Sequence, residues 1–265
     1  MFMELLLSGQ VEEYLDRAAL GDRPCVFVHI PKTAGTSLRT EIAAALQPDV
    51  NIVVDYEDET RSFHERMDGA VDVFLARNAV DPIRFASGHV QARHVQRIRQ
   101  QMPRALFVTF LRDPVARVIS DYRYQRSPRH PVYADFVKRV PSLDAYLELR
   151  SEQNKMAQHL VPPGVLIGGD PQECVDTMMR GFDFIGVQEM YPISFRTLMT
   201  LIGHPSWPKV QENVNRENEE ERNVSPEVAK RIRAVNELDC ALYDHVFPRL
   251  AAVRDRLSSA LNARA

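Results

Sequence analysis

Val26-Phe-Val-His-Ile-Pro-Lys-Thr-Ala-Gly-Thr-Ser-Leu38 is the stretch from which the rest of the chain can be read. Val26, Phe27, Val28 and Ile30 are the β-branched and aromatic types that suit a strand covered on both faces. Pro31 has no N–H to give to a sheet ladder, so the strand should end there. Gly35 lets the backbone come close to a ligand. Thr36 and Ser37 are candidates to cap a helix running on through Leu38 to Leu46. A strand, tight loop and helix start in this order turn several N–H groups and a helix N-terminus toward one point, which favours a bound phosphate. Lys32 adds a mobile positive charge there. The expectation is a chain built around an anion cradle.

The totals leave room for a protein of this kind. The chain has 265 residues, 45% hydrophobic and 26% charged, enough for a sizeable core and expected to form one domain over 1–265. A net charge of −3 gives no reason to expect nucleic acid as a partner. Cys25, Cys174 and Cys240 are scattered and odd in number, as reduced thiols are, and no pair has metal-ligand spacing. Met1 to Leu7 is apolar but short, with Glu4 inside it and Glu12, Glu13 and Asp16 close behind. It reads as neither a signal peptide nor a membrane span, so a cytoplasmic location is expected.

Outward from the loop, the pattern alternates strands and helices. Residues 9–20 read as an amphipathic helix, Asn51–Asp55 as a second strand and Tyr56–Asp72 as an acidic surface segment. Val71–Leu75 is a candidate strand and Arg84–His89 another, ending on Gly88-His89. Val90–Gln101 has helical spacing. Ala105–Leu111 is a buried strand halted by Arg112-Asp113-Pro114, and Pro114 suits the first turn of a helix reaching about Arg126. Helices are expected over Ser142–Gln158, Pro171–Arg180 and Ile193–Ile202, with a strand at Phe182–Val187. Residues 211–222 read as a charged loop. Ser225 should cap a last long helix with Pro226 at its first position. The fold class is α/β: a three-layer sandwich of P-loop type, with a mostly parallel sheet flanked by helices.

A nucleotide P-loop has the order G-x-x-x-x-G-K-[ST], with Lys after the last glycine. Here Lys32 precedes Gly35, and no glycine stands four or five positions upstream of it. Pro-Lys-Thr-Ala-Gly-Thr-Ser instead resembles the 5′-phosphosulfate loop of sulfotransferases, whose donor is 3′-phosphoadenosine 5′-phosphosulfate (PAPS). The family's second motif is a strand, then Arg, with Ser eight residues on, holding the donor's 3′-phosphate. Arg112 and Ser120 have that spacing. The form His-Ile-Pro-Lys-Thr-x-Gly-Thr-Ser looks most like the carbohydrate branch, including heparan sulfate 2-O- and 6-O-sulfotransferases. The likeness is local to 26–38, 87–90 and 110–122, with a weaker echo at 182–189 and near the final helix. The usual loop has Gly-Gly where this chain has Ala34-Gly35. Ala34 must take a negative φ there or bear mild strain.

The resemblance implies a donor site of Lys32, Thr33, Ala34, Gly35, Thr36, Ser37, Arg112 and Ser120. Sulfuryl transfer asks mainly for in-line positioning and neutralised leaving-group charge. Lys32 is the candidate to stabilise the bridging oxygen, and no protein-bound metal is needed. A base must take the acceptor's hydroxyl proton, and histidine is the usual choice near neutral pH. His89, at the end of a sheet strand, resembles the catalytic histidine of the 2-O-sulfotransferases. His29 is expected to be a packed or loop-orienting residue, and His94 a solvated one. Between Arg84 and Arg112 there is no acid, but there are Arg93, Arg97, Arg99 and Arg104. Tyr122–Ala134 adds Arg123, Arg126 and Arg129. These runs are either walls for an anionic acceptor such as an acidic sugar, or solvated helix faces. Asn154, Gln158 and Asn213-Val-Asn215 echo polar positions of relatives. Two rivals stand beside this reading: an ATP- or GTP-dependent kinase, with Asp55 as a magnesium-binding strand end, and a non-catalytic nucleotide-binding protein. The acceptor and the oligomeric state are not legible.

Overall fold

A computed structural model describes residues 2–58, 60–209 and 224–264. Its centre is a parallel sheet of β1 (Cys25–Val28), β2 (Asp49–Ile52), β3 (Phe85–Gly88), β4 (Leu106–Leu111) and β5 (Phe184–Val187), in the spatial order β2-β3-β1-β4-β5. β1, β3, β4 and β5 are buried along their whole length, as apolar runs in a covered parallel sheet should be. The helices before β4 are α1 (Phe2–Leu7), α2 (Val11–Ala18), α3 (Gly35–Ala45), α4 (Phe63–Val80) and α5 (Ala92–Gln101). Between β4 and β5 come α6 (Pro114–Gln125), α7 (Tyr133–Arg139), α8 (Leu143–Leu147), α9 (Lys155–Leu160), α10 (Pro163–Gly168) and α11 (Pro171–Gly181). After β5 come α12 (Tyr191–Leu201), α13 (Pro226–Val235), α14 (Glu237–Ala252) and α15 (Arg254–Asn262).

Right-handed crossovers set the layers. From β1 the chain runs through α3 over β3 to β2, while from β3 and β4 it runs the opposite way. That puts α3 on one face and α4, α5 and the β4–β5 helices on the other, where α4 packs on α5 and α5 on α9. The crossovers from the neighbouring strands β1 and β4 leave in opposite directions, so a crevice opens between their carboxyl ends. At the outer edge of β5, the Ile185 N–H meets the Met3 sulfur at 3.3 Å, so α1 covers that edge.

Several segments depart from the sequence expectation. Val71–Leu75 is not a strand but part of α4. Ser62 and Glu65 form a reciprocal capping box at its start. Met67, Val71, Phe74 and Leu75 are buried at helical spacing, about 1.5–3 kcal/mol each. An alternating strand would have turned Phe74 to the face opposite Met67, Val71 and Leu75. Ser142–Gln158 is not one helix: α8 ends at Leu147, turns follow, and α9 starts only after Asn154, which takes a left-handed φ of 49°. Its side-chain oxygen accepts the N–H groups of Leu238 and Asp239 at 3.0 and 3.2 Å, while the Asp239 carboxylate accepts those of Met156 and Ala157. Each of these two residues therefore satisfies the other helix's N-terminus. Ser225 does cap its helix, accepting from Val228 N–H at 3.3 Å, but the chain turns again at Asn236 and Val253, giving three helices. The stretch 211–222, with Asn213 and Asn215, lies outside the described residues.

Candidate active site

Three adjacent strands deliver the candidate residues to one edge of the sheet. Register pairs Val28 with Gly88 on one side and with Thr109 on the other. Lys32 follows β1, His89 follows β3 and Arg112 follows β4, so all three leave the same edge of the sheet on neighbouring strands, and residues 32 and 112 touch although 80 positions separate them. The buried Arg112 guanidinium donates Nη1–H to the Lys32 carbonyl at 3.0 Å, across the crevice between β1 and β4. Asp113 caps α6 by accepting the Ala116 N–H at 2.9 Å, and Pro114 opens the helix. Ser120 is buried, five per cent exposed, in the second turn of that helix.

The loop has an uncommon backbone. Lys32 has φ 69° and Ala34 φ 62°, both left-handed without being glycine. Left-handed Ala34 followed by helical Gly35 is the alternation that forms an anion-binding concavity. α3 begins at Gly35 with Ala34 as its N-cap and no side-chain cap, so Thr36 and Ser37 lie inside the first turn instead of capping it. No side-chain cap competes with an anion for the orphan N–H groups there. α4, α6, α8, α11 and α13 are capped by Ser62, Asp113, Ser142, Asp170 and Ser225. The Thr33 hydroxyl donates to Ile30 O at 2.9 Å and is wholly buried, which leaves Thr33 only its backbone to offer. The Lys32 ammonium stands 4.5 Å above the Tyr124 ring, a cation–π contact with no signal in the sequence.

His89 is fixed from both sides. Gly88 is required because a Cβ there would lie 2.6 Å from the Ile52 carbonyl of β2. The His89 Nδ1 lies 2.7 Å from the His29 carbonyl. A carbonyl only accepts, so Nδ1 carries the proton and Nε2 keeps its lone pair. Burial holds the His89 pKa below the ordinary imidazole value, against the hydrogen bond to His29 and the charge of Asp121, which favour the protonated form. His159 on α9 bonds through Nδ1 to Val90 O at 2.8 Å, and burial pushes its pKa down to about 3.

Behind the site lies a buried ionic cluster that the sequence did not announce. Arg117, fully buried, pairs with Asp121 at 3.1 Å, and Lys155 pairs with Asp121 at 3.2 Å and with Glu152. The Tyr146 hydroxyl lies 3.2 Å from Asp121 and 3.0 Å from Glu152. Against burial, which raises it, the charges of Lys155 and Arg117 hold the Asp121 carboxyl down at about 2. Asp121 is thus Arg117's partner.

His94 is buried, not solvated: Nδ1 accepts the Gln91 N–H and Nε2 faces Asp68 at 3.1 Å. The arginines of 84–112 do not form a wall. Arg93 and Arg97 pair with Asp68, Arg97 also with Asp72, and Arg104 with Asp22. Arg99 donates to Gly181 O and lies 3.9 Å over Phe107. Arg126 donates to Val140 O at 2.5 Å.

No protein-family model and no curated protein matches the chain. Among solved structures it is similar to a sulfotransferase from Alicyclobacillus acidocaldarius at 17% identity and a TM-score of 0.51, covering 88% of this chain and 99% of that one. A mouse sulfotransferase, SULT7A1, complexed with PAP matches at 15% identity, 87% and 71% coverage and a TM-score of 0.39. The first likeness shows that the five-stranded parallel sheet flanked by helices is a fold that sulfotransferases use. Among the described residues, no helix is long and apolar enough to cross a membrane.

Proposed function

We propose that the protein is a PAPS-dependent sulfotransferase acting on a hydroxyl of a carbohydrate or glycoconjugate. The observation that supports this is that Lys32, His89 and Arg112 follow three adjacent parallel strands at one edge of the sheet, with Arg112 hydrogen-bonded to the Lys32 carbonyl. The residues present suit the donor: the uncapped N-terminus of α3 with the Ala34–Gly35 alternation for the 5′-phosphate, and the Arg112 guanidinium with Ser120 for the 3′-phosphate. PAPS supplies the sulfuryl group. His89 Nε2 takes the acceptor's hydroxyl proton as the acceptor oxygen bonds to sulfur. The sulfur–oxygen bond to the 5′-phosphate breaks, and Lys32 stabilises the charge left on that oxygen. The carbohydrate branch rests on the His29-Ile-Pro-Lys-Thr form and on the resemblance of Gly88-His89-Val90, and an anionic acceptor draws no support from the paired arginines of 84–112.

Calorimetric titration with 3′-phosphoadenosine 5′-phosphate and with ATP tests the donor assignment. Binding of the bisphosphate in preference to ATP is expected. The reverse preference would return the chain to the kinase reading.

A further inference from the structure

The proposed chemistry makes no use of the His29 side chain, yet the fold is built closely around it. Its ring stacks on Phe27 at 5.4 Å and lies 4.2 Å from the His89 ring, tilted by 34°. Toward the phosphate loop it occupies the space where a Gly35 side chain would be. A Cβ on Gly35 would fall 2.0 Å from its Cδ2 and 2.1 Å from its Nε2. The His29 carbonyl receives the Nδ1–H of His89. One residue therefore touches the loop through its ring and the candidate base through both ring and carbonyl.

We infer that His29 is a positioning residue that joins the phosphate loop to His89, so that the loop's conformation sets where the Nε2 lone pair of His89 stands. The catalytic consequence rests on the sulfotransferase reading; the contact itself does not. The groups that face His89 are His29 at the end of β1, Asp121 on α6, and Lys155 and His159 on α9. Asp121 favours the protonated ring, while Lys155 and His159 oppose it. Desolvation by its neighbours holds the His29 pKa well below the ordinary imidazole value, so its ring is neutral. Its ring acts on His89 by covering one face from water and by fixing its plane. If the His29 ring is lost, His89 should become wetter, and its titration should move up toward that of a free imidazole.

Three variants separate this from plain packing: His29→Leu, which keeps the volume without the flat ring, Gly35→Ala, and the double variant His29→Ala/Gly35→Ala. The readouts are affinity for 3′-phosphoadenosine 5′-phosphate, kcat against pH, and titration of the His89 ring nitrogens by NMR. Gly35→Ala alone should weaken the bisphosphate by roughly tenfold or more, and the double variant should recover most of that, because the obstructing ring is gone. His29→Leu should melt close to wild type. Its kcat should nonetheless fall about a hundredfold, the cost of a base displaced by about 1 Å. The double variant, which lacks the ring, should also move the acid limb upward. Unchanged kcat in His29→Leu, or a double variant no better at binding than Gly35→Ala, would overturn the inference. If wild type binds no bisphosphate, the sulfotransferase reading falls. The His89 titration in wild type and in the double variant then still decides the contact: an upward shift sustains it and no shift refutes it.

Discussion

Ala34→Gly should stabilise this protein, although alanine-to-glycine changes usually do the opposite. Ala34 sits at φ 62°, ψ 20°, where the Cβ of an L-residue crowds the following carbonyl at a cost of about 1–2 kcal/mol. Glycine removes that cost. It also frees the unfolded chain, which takes back about 0.4–1 kcal/mol. The net gain is roughly 0.5–1 kcal/mol, and at about 2 °C per kcal/mol for a chain of this length the melting temperature should rise by about 1–2 °C. Ala44 is the control. It is exposed on α3 in ordinary helical backbone, and Ala44→Gly should cost about 0.5–1 kcal/mol. Urea midpoints for both variants, with and without 3′-phosphoadenosine 5′-phosphate, give the answer. The opposite signs are the diagnostic. If Ala34→Gly destabilises as Ala44→Gly does, residue 34 is not left-handed, and the anion-binding alternation at Ala34–Gly35 goes with it. A stabilised variant that also binds the bisphosphate less well would indicate that the strain helps to hold the loop open for its ligand.

Arg112→Lys should lower affinity for the bisphosphate by about ten- to a hundredfold, since a charged hydrogen bond is worth about 1.5–3 kcal/mol. It should cost adenosine 5′-phosphosulfate, which lacks the 3′-phosphate, several-fold less, the remainder reflecting the lost bond to the Lys32 carbonyl. Equal losses for both ligands would place Arg112 elsewhere. Tyr124→Leu removes the ring beneath the Lys32 ammonium. Steady-state kinetics should show kcat reduced by a few-fold to thirtyfold, from about 0.5–2 kcal/mol of cation–π stabilisation, with bisphosphate affinity held. A change in affinity alone would deny that ring a part in placing the ammonium. His159 has its pKa near 3 in the folded state, below the ordinary 6.5, so unfolding takes up a proton in the window between them. Its contribution to stability is complete above 6.5 and is lost as pH falls toward 3, at about 1.4 kcal/mol per unit. Urea midpoints at pH 7, 6 and 5 should fall less steeply in His159→Gln than in wild type, and parallel slopes would show that the imidazole titrates normally.

Strand positions were legible because buried parallel strands announce themselves as short apolar runs, as at Val26–Val28 and Leu106–Leu111. The two motifs were legible because each carries its local structure with it: Pro31 stops one strand, and Arg112-Asp113-Pro114 stops another and caps the next helix. What was not legible depended on partners distant in sequence. Val71–Leu75 is β-branched and apolar enough to pass for a strand, and the decision for a helix came from the capping box nine residues earlier. The break before α9 is set by Asn154 and Asp239 capping each other's helices across 85 positions. Nothing near Tyr124 marks it as the neighbour of Lys32.

The arginines show the same limit acting on the question of the acceptor. A run of residues without acids looks like a positive surface only if its charges stay unanswered, and folding decides that. The acids that answer Arg93 and Arg97 lie on α4, which packs on the same face of the sheet as α5, and Arg104 finds Asp22 in the turn before β1. Charge segregated along the chain is thus mixed in space. Positive charges near the sheet's carboxyl edge come from separate elements: Lys32 after β1, Arg112 after β4 and Lys155 at the start of α9, with Arg39 on α3 acting on His29. On the proposed reading the first two serve the donor. Lys155 is already balanced by Asp121 and Glu152. A hydroxyl acceptor that brings no charge of its own would disturb that balance least. Competition by a neutral and an acidic oligosaccharide of equal length would check this directly, and stronger inhibition by the acidic one would refute it.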